Sequence, residues 1–94
     1  MTTHEHPDHS KELPRLNRIA GQVEGVRKMI AEGRYCPDIL TQLRAIRAAL
    51  HSVEANILEE HLSSCVAEAL HSGDAAVQDA KIAELKDLYR RFGA

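Results

Sequence analysis

From Asp38 to Cys65 the chain contains neither glycine nor proline, so nothing in that run signals a break in a helix. Its apolar residues Ile39, Leu43, Ile46, Leu50, Val53 and Ile57 recur at steps of four, three, four, three and four. That is the stripe of a helix packed lengthwise on another helix. Pro37 suits a first helical turn and Gly73 a terminator, so residues 34–72 are predicted to hold one long helix. A chain of 94 residues has little else with which to cover such an element, and a second copy is the expected cover.

Both cysteines sit on this element, Cys36 at its start and Cys65 near its far end, with His61 four residues before Cys65. Residues four apart project from one helix face, so His61 and Cys65 can bind one ion. Cys36 and Cys65 are 29 positions apart, roughly 43 Å along a straight helix at 1.5 Å per residue. They cannot meet within one chain. In an antiparallel pair of these helices crossing near Leu50, Cys36 of one chain lies beside His61 and Cys65 of the other, giving two symmetric Cys-His-Cys sites. Taken singly, a cysteine is commonly a small buried hydrophobe and a helical histidine an ordinary surface residue. The spacing is what favours metal. Cys36 also lies near a helix N-terminus, which stabilises the metal-binding thiolate. Two thiolates and an imidazole suit Cu(I); adding His4 gives two sulfurs and two nitrogens, a set for Ni(II) or Zn(II). Tyr35 and Glu84 are candidates to hydrogen-bond the ligating side chains. His51 and His71 lack a cysteine at ligand spacing and read as surface residues.

The rest of the chain divides simply. Residues 1–12 carry His4, His6 and His9 in a polar segment with no apolar pattern, read as a flexible arm whose imidazoles are either metal ligands or only polar decoration. Residues 13–94 form the three-helix domain. Its first helix, over 13–33, repeats Leu16, Ile19, Val23, Val26 and Ile30, with Gly21 and Gly25 suggesting close approach of another helix. The last, over 73–94, opens with Asp74 as a cap and presents Val77, Ile82, Leu85, Leu88 and Phe92. The class is all-α. No apolar run reaches the ~20 residues of a membrane span and no signal peptide opens the chain, so a cytoplasmic protein with two working thiols is expected. Net charge is −2, yet Lys11 to Arg47 holds eight Lys/Arg against four Asp/Glu, while Ala48 to Ala80 holds six acids and no Lys/Arg. A polyanion would meet the first half, at Lys11, Arg15, Arg18, Arg44 and Arg47. No helix-turn-helix or zinc-finger spacing is present, so phosphate contact and DNA shape are the expected mode. A metal-storage module without DNA binding is the rival from another class. A thiol enzyme lacks any oxyanion-hole or pocket motif.

Leu16-Asn-Arg-Ile-Ala-Gly-Gln22, Tyr35-Cys36, Asp38, Gln42 and His61-x-x-x-Cys65 together resemble the CsoR/RcnR family of bacterial metal- and stress-sensing repressors over about residues 4–92. The resemblance implies an antiparallel four-helix-bundle dimer assembling into a disc-shaped homotetramer. It further implies operator DNA binding by the metal-free form, with release when an efflux or detoxification operon is needed. Residue by residue, Cys36, His61 and Cys65 match the copper-sensor ligands, Tyr35 and Glu84 their hydrogen-bonding partners, and Arg15 a DNA contact. Ala55 departs from the pattern where some copper sensors carry Arg. His4 matches the N-terminal ligand of nickel/cobalt sensors. Cu(I) is thus the expected effector, with Ni(II) or Co(II) the alternative, and no enzymatic activity is expected.

Overall fold

The computed structural model describes residues 7–92, in the order 3-10 turn Ser10–Glu12, α1 Leu13–Ala31, α2 Cys36–Ser72 and α3 Ala75–Phe92. The three expected helices are all present. The helix α2 runs 37 residues without interruption, as the lack of Gly and Pro after Pro37 requires. No helix among the described residues is long and apolar enough to cross a membrane. The chain divides into two compact units, one spanning Ser10–Val53 and the other residues 7–9 with 54–92.

Within Ser10–Val53, α1 begins directly from the 3-10 turn with Pro14 in its first turn, and Glu12 makes no side-chain cap. Its end is closed by backbone geometry. Arg34 N–H donates to Met29 O at 2.9 Å, Gly33 N–H donates to Ile30 O at 3.1 Å, and Gly33 takes φ +69°. This paired closure needs a left-handed residue, which glycine adopts without steric penalty. Two residues later Tyr35 O accepts from Asp38 N–H and Ile39 N–H at 3.0 and 3.3 Å, opening α2, with Asp38 in the first turn complementing the helix dipole.

Burial follows only part of the predicted apolar stripes. Ile19 and Val26 on α1, and Ile46 and Val53 on α2, are buried at 5–7% exposure. Their stripe neighbours Leu16, Val23, Leu43 and Leu50 stay 37–45% exposed. Among the described residues, nothing outside the helix's own backbone lies within 4 Å of where a Cβ on Gly21 or Gly25 would stand, so none of them makes the close approach expected there.

In the second unit, Gly73 takes φ +62° and ends α2, and Asp74 Oδ1 accepts from Ala76 N–H at 2.9 Å to cap α3. Arg91 pairs with Asp87 at 2.6 Å in the last turn of α3. The described start of the chain belongs to this unit, where His9 Nδ1 lies 2.9 Å from Glu60 Oε2. Ser10–Glu12 form a 3-10 turn, with Glu12 only 5% exposed.

Replacing Gly33 by Ala puts a Cβ on a left-handed backbone, a cost of about 1–2 kcal/mol. Urea unfolding at one fixed protein concentration is expected to show the midpoint fall with unchanged slope.

Candidate metal centre

Three side chains of the second unit converge. His61 and Cys65 stand one turn apart on α2, and Glu84 reaches them from α3. His61 Nε2 lies 3.0 Å from Glu84 Oε1 and 3.3 Å from Cys65 Sγ, and Cys65 Sγ–H donates to Glu84 Oε1 at 3.8 Å. Each offers a ligand atom, and all three atoms fall within 4.8 Å of one another. Bonds of about 2.0–2.3 Å from nitrogen and sulfur to one ion bridge separations of this size. A soft sulfur, an imidazole and a carboxylate are a donor set that fits a transition metal.

The electrostatics separate the members. Cys65 is 4% exposed. Burial pushes its thiol up from the ordinary value, the Glu84 carboxylate adds to this, and the Lys81 ammonium opposes it. Glu68 raises it further while pairing with Lys81 at 3.7 Å. Cys65 therefore stays a protonated thiol at neutral pH, and a metal must displace that proton to bind the sulfur.

The sequence-selected residues fall into two groups. His61, Cys65 and Glu84 form the cluster. Cys36, exposed at the first position of α2, and Tyr35, 71% exposed just before it, belong to the other unit and have no part in the cluster. His4 lies outside the described residues. Lys11, Arg15, Arg18, Arg44 and Arg47 all belong to the Ser10–Val53 unit and all are exposed, Arg15 within 3.7 Å of the buried Glu12. The five basic residues and the cluster thus occupy different units. Sequence reasoning did not single out Glu60, whose partner His9 is 51 residues away; no spacing rule links positions so distant.

Iodoacetamide at neutral pH is expected to modify Cys36 roughly tenfold or more faster than Cys65, which is both buried and short of thiolate. Raising the pH is expected to accelerate Cys65, since more of it ionises. Equal rates at both thiols, read by peptide mass spectrometry, would contradict the described environment.

Comparison with known proteins shows the family. Residues 8–91 match the family model described as metal-sensitive transcriptional repressor. The copper-sensing transcriptional repressor CsoR of Bacillus subtilis (strain 168) is 45% identical over 78 residues, 83% of this chain and 74% of that protein. The copper-sensing transcriptional repressor RicR of Mycobacterium tuberculosis is 50% identical over 70 residues, 74% of this chain and 72% of that protein. Among solved structures, the nickel-responsive transcriptional regulator InrS superposes with a TM-score of 0.79 at 36% identity, covering 97% of this chain and 99% of that one. The Cu(I)-bound copper-sensing repressor CsoR of Geobacillus thermodenitrificans NG80-2 superposes at 0.73 with 39% identity, covering 100% and 95%. This chain belongs to the metal-sensitive transcriptional repressors, the CsoR/RcnR family, which are regulators of transcription and not enzymes.

Proposed function

We propose that this protein acts in the cytoplasm as a Cu(I)-responsive repressor, holding its operator when metal-free and leaving it when the metal binds. The observation that carries the reading is the His61–Cys65–Glu84 cluster on one unit, with the second thiol, Cys36, at the far end of an unbroken helix. Cys36 of a second copy completes the ligand set, with Glu84 and Tyr35 as hydrogen-bonding partners. The exposed stripe residues Leu16, Val23, Leu43 and Leu50 support pairing of two chains along α1 and α2, and a tetramer built from two such pairs.

Bound there, a soft cation supplies a thiolate-stable crosslink between two chains. The chain's own residues do the rest. His61 is oriented by Glu84, Cys65 gives up its proton, and Cys36 of the second copy is tied to the distal part of α2. Lys11, Arg15, Arg18, Arg44 and Arg47 meet operator phosphates, and a change in the spacing of their copies across the dimer weakens many contacts at once. Couplings of ~1–3 kcal/mol, or 5–150-fold, are usual for such linkage.

Copper is favoured by the thiolate pair and by the copper-sensing names of the relatives at 45% and 50% identity. Nickel or cobalt with His4 as an additional ligand is the second reading, supported by the likeness to InrS.

The test is binding of a DNA duplex from upstream of the protein's own gene, followed by fluorescence anisotropy with one equivalent of metal per chain under anaerobic conditions. Cu(I) is expected to lower affinity 5–150-fold, and rising salt is expected to weaken the metal-free complex steeply. Release by Ni(II) or Co(II) and not by Cu(I) selects the second reading. Affinity indifferent to every one of these ions removes the sensor assignment, and absence of salt-dependent DNA binding leaves metal storage.

A further inference from the structure

One charged side chain acts on the cluster without belonging to it. Lys81 lies on α3 three residues before Glu84, and Glu68 lies on α2 three residues after Cys65. Residues three apart share a helix face, so α2 presents Cys65 with Glu68 and α3 presents Glu84 with Lys81. The contacts cross between the two helices: Cys65 Sγ–H donates to Glu84 Oε1 at 3.8 Å, and Lys81 Nζ lies 3.7 Å from Glu68 Oε2. The Lys81 side chain is only 14% exposed, against 52% for Glu68. A cation so far withdrawn from water is costly unless negative charge answers it, and one solvated carboxylate beyond hydrogen-bonding distance answers it weakly. Its charge reaches the sulfur, where it opposes the upward push that burial and the Glu84 carboxylate exert on the Cys65 thiol. Among the charged groups of the described residues that act on that sulfur, Lys81 is the one cation, set against Glu84 and Glu68.

We propose that Lys81 is a specificity-determining residue of this centre, the fixed positive charge that favours a monovalent soft cation over a divalent one. The proposal rests on the metal site put forward above. A metal binds thiolate and not thiol, so the two sulfurs and the neutral imidazole together carry two negative charges. Cu(I) leaves one of these uncompensated, whereas Ni(II), Co(II) or Zn(II) cancels both. The copper complex is therefore one unit more negative than any divalent one, whatever the protonation of the metal-free thiols. A neighbouring ammonium stabilises it by the Coulomb energy of that one unit. Lys81 is largely shielded from solvent, and a shielded charge is screened little. Glu68 acts with the opposite sign and more weakly, because it is the more exposed of the pair. An ammonium has no lone pair to give, so Lys81 is not a ligand and works through its field at the sulfur. Ligand softness selects among metals by bonding; this device selects by net charge.

The test uses the full chain, anaerobically, with Cu(I) and Ni(II) as probes, and reads the ratio of their affinities, each measured by competition with a chelator. Lys81→Met keeps an aliphatic stem and removes the charge. It is expected to lower the copper-to-nickel ratio by about tenfold or more. Lys81→Arg keeps the charge and is expected to hold the ratio within about threefold of wild type. Glu68→Gln removes the opposing charge and is expected to move the ratio the other way, by roughly two- to fivefold. Opposite signs are what a merely structural ion pair cannot produce, since losing either partner of a strut weakens both metals alike. A wild-type ratio in Lys81→Met would overturn the proposal, as would the same direction of change in Lys81→Met and Glu68→Gln. A ratio in Lys81→Arg as low as in Lys81→Met would also overturn it, because charge is then not what acts. Metal binding untouched by Cys65→Ala would instead overturn the site itself, a separable outcome.

Discussion

The rise of an α-helix is the constraint on which everything else turns. Each residue advances the axis by about 1.5 Å, and α2 proceeds from Cys36 to Ser72 with no interruption. Its two thiols stand 29 positions apart along that helix. On the reading proposed above, an antiparallel copy brings the second thiol to the first, and the site would then report on how two chains are placed.

The division of labour along α2 fits this. Its early part belongs to the unit that bears Lys11, Arg15, Arg18, Arg44 and Arg47; its later part belongs to the unit with His61, Cys65 and Glu84. The later part is acidic and carries the candidate cation site, and the early part is basic and is the part proposed to meet phosphates. Such a segregation of charge would keep a polyanion away from the carboxylates beside the candidate ligands. Burial also has a chemical consequence. Cys65 is kept protonated by desolvation and by Glu84, so the metal-free site carries less charge, and occupancy is linked to proton release.

Much of this was readable from residue order alone. The length of α2 follows from the absence of Gly and Pro, the end of α1 from Gly33, and the His61–Cys65 pairing from helical spacing, because all three are local effects. Glu84 was expected as a hydrogen-bonding partner of the ligating side chains, and its carboxylate lies 3.0 Å from His61 Nε2; the distance depends on how α3 returns after Gly73, a tertiary matter. The Glu60–His9 pair was not readable: it joins positions 51 apart and has no periodic signature. The apolar stripe was legible as a pattern, but not which of its members the single chain would bury. Ile19, Val26, Ile46 and Val53 are covered, and Leu16, Val23, Leu43 and Leu50 are left open.

The most direct measurement of a site shared between chains is complementation. Cys36→Ala and Cys65→Ala variants are each expected to lose tight Cu(I) binding as homo-oligomers. Unfolded together and refolded at equal concentration, they form mixed pairs in which one site regains both thiols. Random pairing then restores about a quarter of the wild-type sites. Tight binding that returns at that stoichiometry is the predicted result. No recovery in pairs shown to be mixed, or full binding by either variant alone, would contradict it.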